Sequence, residues 1–529
     1  MSKIVILFAL CLMLCSYSTL AAVVSCGDVL TSNTVMENDL SDCPGDGLIL
    51  NASSITLDCD GYNINGTFIG NGVKVMDGLS SIEIMHCAIT DFEKGIYFYP
   101  NTSGSEVSST SIHDMVTQGI FLQDAIETLF FNVTVSNVNE SGIYILDNSL
   151  SNHIVSSFIT NSKREGISIL NSNTTQINNT IIRNSGLGGS YDGILIDGGS
   201  HNVIANSNVS NASQHGVSVI GGEFNQVSNS AIVWSAENGI DAFETSNLSL
   251  TNVSISDNEG RGFSCDSCNN VTLINVSLFD NQGPYAAYYV SSNIITFDNC
   301  QVGDSATLVR LLNSPHAYFT HSDFSNSDKG IYATSNNNSL ISNSRFYNVT
   351  NATVLMNSNA TIKQNEFVNV SSAAYLSGSV GSIMIENVLP RRYDWSVPYV
   401  SVIQSPFFVF SNNTLAGGWV SGKVFPEIGI GIMDSNYLVA ENNSFINLST
   451  VFFLNGSHWC KLIFNHIDSG GLVSADASSG LNVSGNRFFG ALNVSNSMNV
   501  TFADNEGGKT VYTYDHDSLV RFDNVAGAL

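Results

Sequence analysis

The sequence predicts an all-β protein in which short strands stack as a parallel solenoid. Three observations support this fold class: a glycine-hydrophobic pair returns about every 23 residues, the residues after it alternate, and polar turn residues separate the apolar runs. A repeat of this length is typical of solenoids, because each unit buries its apolar face only by stacking on its neighbours. The repeat is carried by Gly95-Ile96, Gly119-Ile120, Gly142-Ile143, Gly166-Ile167, Gly193-Ile194, Gly216-Val217, Gly239-Ile240, Gly262-Phe263 and Gly330-Ile331.

Within each repeat the apolar pattern has a period of two, which predicts strands rather than helices. Ile143-Tyr144-Ile145 and Ile194-Leu195-Ile196 are examples, with one side chain inside and the next outside. Two further short apolar runs follow in each repeat, and Ser, Asn, Gly and Asp separate them, as in turns. We therefore expect three short strands per coil.

Aligning the repeats produces columns of equivalent residues. Two apolar columns are expected to point inward: Ile143, Ile167, Ile194, Val217, Ile240 and Phe263, and then Ile145, Ile169, Ile196, Val219, Ala242 and Cys265. A polar column places Asn206, Asn229, Asn252 and Asn275 at intervals of 23 residues. Stacked Asn side chains form hydrogen-bond ladders, and we expect this ladder to satisfy amide groups that burial would otherwise leave unpaired.

The sequence pattern of these repeats resembles that of a known family. The pattern Gly193-Ile194 … Asn202-Val203-Ile204 … Asn206, together with the opening segments 42–48 and 55–61, resembles the right-handed parallel β-helix proteins of the pectate-lyase-like superfamily, especially NosD-type and prokaryotic surface proteins. The resemblance covers about residues 26–380 and again 430–505. It implies a single-stranded right-handed parallel β-helix of about 20 coils. It leaves function open, because this fold carries lyases, hydrolases, adhesins and inert spacers.

The composition along the chain predicts six segments. Four of the eight prolines lie between residues 381 and 428 and interrupt the repeat, which predicts a loop or small β excursion there. The predicted order is a signal peptide (1–22), an N-terminal cap and first coil (23–60), the parallel β-helix (61–380), the excursion (381–428), further coils (429–508) and a C-terminal tail (509–529).

The first 22 residues predict export, since Lys3 precedes an apolar run too short to span a bilayer. A membrane anchor is one alternative. Another is a lipid anchor at Cys26, because Val23-Val24-Ser25-Cys26 resembles a lipobox. No later segment is long and apolar enough to predict a membrane span. The expected location is therefore outside the cell or on its surface.

The cysteines outside the signal are even in number, which suits an oxidising compartment. The family resemblance places Cys26 and Cys43 together in the N-terminal coil as a disulfide. Cys59 and Cys87 lie 28 residues apart, a plausible coil-to-coil bridge. Cys265 and Cys268 form one Cys-x-x-Cys, which we interpret as a small core residue or a local disulfide. A redox role would need a helix start, and a zinc site would need a second ligand pair.

The formal net charge is −27 although only 12% of residues are charged, so the acidity reflects a shortage of Lys and Arg. Nucleic acid is disfavoured as a partner because no basic stripe exists to displace counterions. Polysaccharides and cell-surface glycans remain as expected partners. Asn-x-Ser/Thr sequons suggest a glycosylated exterior, or they simply reflect the composition of turns. The predicted glycosylation sites are Asn132, Asn247, Asn252, Asn270 and Asn275.

The residue before each repeated glycine falls in one column, which brings together Asp192, His215 and Arg261, with Asp241 close by. Such residues could bind a sugar or remove a proton beside a uronate carboxylate. A β-elimination lyase also needs Arg or Ca²⁺ to neutralise that carboxylate. Other repeats place Lys94 and similar residues in the column, which favours a solvated turn instead. Ca²⁺ is expected only for a lyase; otherwise no cofactor or metal site is predicted.

Arg391, Trp395 and Trp419 are the candidate ligand contacts outside the regular coils. Aromatic faces stack on sugar rings, and loops on a rigid scaffold often bind ligands. The alternative is that these side chains form a small core within the excursion.

The leading function is a structural or adhesive extracellular protein with a capacity to bind glycans. The second is a polysaccharide lyase, or another carbohydrate-active enzyme, that acts on acidic glycans. A role in metal-enzyme maturation, suggested by NosD, ranks last because the chain lacks a dense His/Met/Cys cluster.

Overall fold

The computed structural model describes residues 20–390, 397–417, 428–468, 471–488, 490–507, 511–514 and 520–523. These residues form strands and turns only, and the strands pair in parallel from coil to coil. The chain divides into two units, Met1–Ser213 and Gln214–Leu529. Each unit is a β-solenoid, and the turns number about 20 in all. The predicted all-β parallel solenoid is confirmed.

Each regular coil contributes three strands to three stacked rows. We name them the first row, which follows the glycine-hydrophobic pair, the second row and the third row.

In the first unit the first row contains Asp28–Leu30, Leu48–Leu50, Asn71–Val75, Lys94–Phe98, Ile120–Gln123, Ile143–Leu146, Ile167–Leu170 and Ile194–Asp197. Its second row contains Leu20–Ala22, Thr34–Met36, Thr56–Asp58, Glu83–Met85, Glu106–Ser108, Leu129–Phe131, His153–Val155, Gln176–Asn178 and Val203–Ala205. Its third row contains Leu40–Cys43, Asn63–Gly66, Ala88–Thr90, Ser111–His113, Thr134–Val138, Phe158–Ser162, Ile181–Ser185 and Asn208–Ser210.

In the second unit the first row contains Val217–Ile220, Ile240–Phe243, Phe263–Asp266, Tyr285–Val290, Thr307–Leu312, Ser372–Ser377, Val400–Ile403, Ile428–Met433, Thr450–Asn455, Leu472–Asp476, Ala491–Ser495 and Val511–Tyr514. Its second row contains Gln226–Ser228, Ser249–Thr251, Asn269–Ile274, Asn293–Asp298, Ala317–Thr320, Ser339–Ser342, Ala360–Lys363, Ile383–Ile385, Val409–Ser411, Val439–Glu441, Lys461–Ile463, Asn482–Ser484, Val500–Ala503 and Val520–Asp523. Its third row contains Ala231–Val233, Ser254–Ser256, Ser277–Phe279, Gln301–Gly303, Glu366–Val368, Val388–Leu389, Thr414–Ala416, Ser444–Ile446, His466–Ile467 and Arg487–Phe488.

Two longer strands of the second unit join rows. Asp323–Thr334 and Arg345–Met356 have 12 residues each and run without a turn from the third row into the first. At these two coils the corner between third and first rows is continuous strand.

The inward columns form the core of each unit. Ile143 pairs with Ile167 and Ile167 with Ile194 in the first unit, and all three are fully buried. In the second unit Ile240 pairs with Phe263 in the same way. Stacking of equivalent side chains extends to a buried phenylalanine column in the third row, Phe324, Phe346 and Phe367, whose neighbouring ring centroids lie 4.9 and 5.1 Å apart.

The repeated glycine has a steric cause. A Cβ atom added to Gly142 would lie 2.4 Å from Cγ2 of Ile159 and 2.6 Å from the carbonyl oxygen of Gly166. Both contacts are far closer than van der Waals separation. At the start of the first-row strand, a third-row side chain and the backbone of the next coil leave no room for a Cβ atom. Glycine therefore recurs at this position about every 23 residues.

The predicted asparagine ladder exists, but it faces solvent rather than the core. In the second unit Asn252 Nδ2 donates to Asn229 Oδ1 at 2.9 Å, and Asn275 Nδ2 donates to Asn252 Oδ1 at 2.7 Å. All three residues are exposed and have φ between 48° and 56°. The expectation of a buried ladder is therefore wrong: Asn occupies this column because it tolerates the left-handed conformation of a turn.

A different asparagine ladder is buried, and the sequence analysis missed it. Each backbone N–H donates to the side-chain oxygen of the next member at 2.8 to 3.1 Å. Most of the side-chain amides also donate to a backbone carbonyl of the preceding coil. Its members are Asn365, Asn387, Asn413, Asn443, Asn465, Asn486 and Asn505.

In the segment 381–428, where we predicted a loop or small β excursion, regular coils continue through the described residues. Ile383–Ile385 pairs with Val409–Ser411, and that strand pairs with Val439–Glu441. The ladder residues Asn387 and Asn413 are 26 residues apart, and Asn413 and Asn443 are 30 apart, against 22 for the next pair. The extra length falls between the third-row strand Val388–Leu389 and the first-row strand Val400–Ile403, and again between Thr414–Ala416 and Ile428–Met433. Pro406 lies outside both stretches, between a first-row and a second-row strand.

The structure contains three disulfides, Cys26–Cys43, Cys59–Cys87 and Cys265–Cys268. These are the pairs that the sequence analysis considered. Cys300 and Cys460 are free and buried. Burial raises the pKa of each thiol from 9.0 to about 11, so neither is a reactive cysteine in the folded state.

Candidate functional site

The structure places the candidate residues in different parts of the chain. Asp192 lies in the first unit and is buried. His215, Asp241 and Arg261 lie in the second unit. The remaining candidates, Arg391, Trp395 and Trp419, lie outside the described residues.

Asn238 connects the three candidates of the second unit. Its backbone N–H donates to His215 Nδ1 at 3.1 Å, and its side-chain Nδ2 donates to Asp241 Oδ1 at 2.8 Å. Its side-chain oxygen accepts the backbone N–H of Arg261 at 2.9 Å. An imidazole, a carboxylate and the backbone of an arginine are therefore held around Asn238.

The contacts of His215 define its role in this cluster. Because Nδ1 accepts a backbone N–H, the proton of the neutral ring belongs on Nε2. Nε2 lies 3.5 Å from Glu237 Oε2, a carboxylate oxygen on an exposed side chain. In this arrangement the neutral ring of His215 faces the Glu237 carboxylate with Nε2 and the Asn238 backbone with Nδ1.

Arg261 rests against two tyrosines. Its guanidinium carbon lies 4.2 Å from the ring centroid of Tyr288 and 5.8 Å from that of Tyr285, and the two rings stack at 5.1 Å. Nη1 also donates to Ser264 Oγ at 3.2 Å. Cation–π contacts and one hydrogen bond thus fix the position of this charge at the surface.

The same arrangement repeats along the outer face of the first row. Tyr288 pairs with Arg310, and Arg310 pairs with Tyr332, so their side chains point outward one above another. The Arg310 guanidinium lies 4.1 Å from the Tyr332 ring, and Lys329 Nζ lies 5.0 Å from it. We define the basic-aromatic row as Arg261, Tyr288, Arg310, Lys329 and Tyr332.

The basic-aromatic row concentrates positive charge in a chain that has few basic residues. The chain has 18 Lys and Arg residues against 45 Asp and Glu, and three of the basic ones lie in this short stretch. Arg310 Nη1 donates to the carbonyl oxygens of Leu311 and Tyr332. A guanidinium carries five N–H groups, so donors remain for a ligand. Part of the row could have been found in the sequence, since aromatic and basic residues alternate with apolar ones in these strands. The alignment of these residues across four coils becomes visible only with the register of strand pairing.

An open polar cleft lies at the corner that leads into this row. It has a volume of about 540 Å³, and its lining is mainly carboxylate, amide and hydroxyl groups. The lining residues are Asp304, Ser305, Ala306, Asn326, Ser327, Asp328, Asn348 and Thr350. The chain passes directly from Asp328 in this cleft to Lys329 in the row.

Metal binding and glycosylation stay predictions. Within the described part of the chain, no three His, Cys, Asp or Glu side chains are grouped so that they could hold a metal ion. Ca²⁺ remains tied to the lyase hypothesis. Of the sequon residues, Asn132, Asn252 and Asn275 are exposed. Asn132 Nδ2 donates to Ser109 Oγ, Asn270 Nδ2 to Asn247 Oδ1, and Asn275 Nδ2 to Asn252 Oδ1.

The coils define the class of protein, a parallel β-solenoid with ligand-accessible polar clusters on its outer faces. Residues 27–182, 165–306 and 272–391 match the family described as right handed beta helix region, and the chain belongs to this family. Comparison with curated proteins gave no significant match. The described residues contain no helix that is long and apolar enough to cross a membrane.

Three solved structures are similar to this chain at low sequence identity. The pre-mature bacteriophage phi29 gene product 12 matches with 12% identity and a TM-score of 0.49, over 95% of this chain and 68% of that chain. A mutant of the periplasmic alginate epimerase AlgG matches with 12% identity and a TM-score of 0.39, over 50% and 73%. The A-module of the Azotobacter vinelandii mannuronan C-5 epimerase AlgE4 matches with 12% identity and a TM-score of 0.33, over 65% and 89%.

Proposed function

We propose that this protein is a secreted or cell-surface β-helix protein, structural or adhesive, that binds acidic polysaccharide along the basic-aromatic row. The observation that carries the proposal is the positioning of Arg261, Arg310 and Lys329 on tyrosine rings in an otherwise acidic chain. The three disulfides support an extracellular location, because they persist in oxidising compartments.

Acidic glycans fit this surface for two reasons. Guanidinium groups donate paired hydrogen bonds to carboxylates and sulfates, and cation–π contacts with the tyrosine rings hold the Arg261 and Arg310 guanidinium groups in position. A repeating polymer can contact several coils at once, since equivalent side chains recur about every 4.8 Å along the row. The polar cleft beside Lys329 offers further hydrogen bonds to hydroxyl groups.

Binding can be tested with immobilised polygalacturonate and polymannuronate, with neutral dextran as the comparison. We expect the acidic polymers to bind and added salt to weaken the binding. The double variant Arg310→Gln/Lys329→Gln is expected to lose about tenfold or more in affinity, since hydrogen bonds to charged groups contribute about 1.5–3 kcal/mol. Arg183→Gln removes one exposed charge in the first unit and is expected to have no effect. Equal binding of dextran, or equal loss in both variants, would contradict the proposal.

A polysaccharide lyase is the second candidate, favoured by the convergence of His215, Asp241 and Arg261 on Asn238. In that reaction a base removes the proton beside the uronate carboxylate and the glycosidic oxygen leaves, so an unsaturated product forms. The same acidic polymers can be followed by the absorbance of new double bonds. Product formation by the native protein that Asp241→Asn abolishes would establish the enzyme, whereas binding without product supports the leading proposal.

A further inference from the structure

The third row of the second unit carries a slot that is separate from the basic-aromatic row. Its volume is about 260 Å³, and Phe279, Gln301, Asp323, Phe324, Ser325, Arg345 and Tyr347 line it. Gly303 pairs with Ser325 and Ser325 with Tyr347, so these residues form one outward column. Gln301, Asp323 and Arg345 form the parallel column beside it.

Small residues between two aromatic rings create the slot. A Cβ atom on Gly303 would lie 2.5 Å from Cε1 of Phe279, which shows that the Phe279 ring lies directly over this glycine. Ser325 forms the floor next to it. Tyr347, 47% exposed, closes the other end. The slot therefore has an aromatic wall at each end and a hydroxyl group at its base.

The polar wall can both donate and accept hydrogen bonds. Within the described part of the chain, the side chains of Gln301, Asp323 and Ser325 have no hydrogen-bond partner in the protein. A carboxylate only accepts, an amide and a hydroxyl do both, and a guanidinium only donates. This combination with aromatic walls matches a ring that has apolar C–H edges and several hydroxyl groups.

The charges select against an acidic ligand. Arg345 Nε lies 3.4 Å from Glu366 Oε2, so its charge is shared with a carboxylate at the edge of the slot. Asp323 adds a second negative charge beside it. An anionic sugar would meet two carboxylates and one guanidinium, whereas a neutral sugar would meet no net repulsion.

We propose that this slot binds a single neutral glycosyl residue, with Asp323 and Gln301 holding its hydroxyl groups between Phe279 and Tyr347. The site is independent of the basic-aromatic row, which lies on first-row strands and is proposed to take acidic groups. The protein would thus hold acidic and neutral parts of a glycan on two faces.

The test uses ligand-observed NMR on the full chain with methyl glucoside, methyl mannoside and methyl galactoside as probes, and methyl glucuronide as the acidic comparison. We expect at least one neutral glycoside to bind at millimolar concentration and the glucuronide to bind at least fivefold more weakly. Absence of binding by all three neutral glycosides would overturn the inference.

Variants locate the binding. Ser325→Val fills the floor with a residue that suits a strand and is expected to weaken binding at least tenfold. Asp323→Asn keeps the shape, removes one acceptor and is expected to weaken binding about fivefold. Because Asp323 is exposed, Asp323→Asn replaces Ser325→Val as the test if circular dichroism shows that Ser325→Val does not fold. The control Tyr318→Ala, in the second row, should retain binding. Loss in Arg310→Gln but not in the slot variants would assign the sugar to the row and refute the slot.

Discussion

The buried asparagine ladder makes a quantitative prediction for Asn443→Ala. The Asn443 side-chain oxygen accepts the backbone N–H of Asn413 at 2.9 Å and its Nδ2 at 3.2 Å. The Asn443 amide donates to the carbonyl of Phe410 and to Asn465 Oδ1, both at 2.9 Å. The substitution removes all four hydrogen bonds inside the core.

The expected cost follows from the groups left without partners. A buried donor or acceptor that loses its partner costs about 1–3 kcal/mol, and the Asn413 N–H and the Phe410 carbonyl both lose a contact. We therefore expect local stability to fall by about 3 kcal/mol. Because about 1.4 kcal/mol corresponds to a factor of ten, the population of the locally opened coil should rise roughly 100-fold.

Two buried thiols provide the assay. Cys460 lies in the coil next to Asn443, whereas Cys300 lies several coils away, and both are free. Labelling with a thiol reagent at fixed pH, followed by peptide mass spectrometry, reports opening at each position separately. Cys460 labelling should accelerate roughly 100-fold in Asn443→Ala, with a much smaller change at Cys300, because stability in stacked repeats is local.

The neighbouring residue supplies the control. Asn442 is exposed and has φ 54°, a conformation that glycine adopts without cost. Asn442→Gly should leave Cys460 labelling within about threefold of the native rate. The reasoning would be refuted if Asn443→Ala left Cys460 labelling unchanged, or if Cys300 accelerated to the same extent.

Three further outcomes are expected. The two free thiols, whose pKa burial raises to about 11, should resist labelling in the native state at pH 8 and react at once in denaturant. Hydrogen bonds from the His321 ring and from Thr320 hold the pKa of Asp298 below its usual value. His321→Gly removes one of them and should raise this pKa, which an NMR titration of the Asp298 carboxyl carbon measures. A lowered folded pKa stabilises the protein above the unfolded pKa, and this contribution is lost as pH falls through the folded value, so the variant should show a smaller acid-induced loss. Gly142→Ala should destabilise the first unit by about 1–3 kcal/mol in urea unfolding because its Cβ has no room, whereas Gly45→Ala, where nothing lies within 4 Å, should not.

The sequence predicts most of the fold because the constraint is local and repeated. At coil entries such as Gly95, Gly119 and Gly142, contacts within 3 Å require a glycine, and its recurrence reveals the period. Later coils have Ala286, Leu308 and Ala352 at this position, so the signal weakens there. Whether a repeated asparagine faces the core or the solvent was harder to predict. Asn252 and Asn443 are the same residue type in the same kind of repeat, but one sits in an exposed left-handed turn and the other in the core.

The candidate site was predictable only in part. The spacing placed His215 and Arg261 in one column, and the structure places them around Asn238. The tyrosines beneath Arg261 were missed, because Tyr285 belongs to the following coil and only the strand register shows that it faces the guanidinium. The prolines between residues 381 and 428 did not show that coils continue there, because proline occurs in a long turn as readily as at the end of a domain.

The corner between third-row and first-row strands accepts additional chain. The residues inserted after Ser185, after Leu389 and after Ala416 all follow a third-row strand and precede a first-row strand. At Asp323–Thr334 the same corner has no turn at all. Relatives of this chain should therefore differ in length at this corner, and peptides grafted there, for display or for attaching a second domain, should leave the rest of the scaffold unaltered.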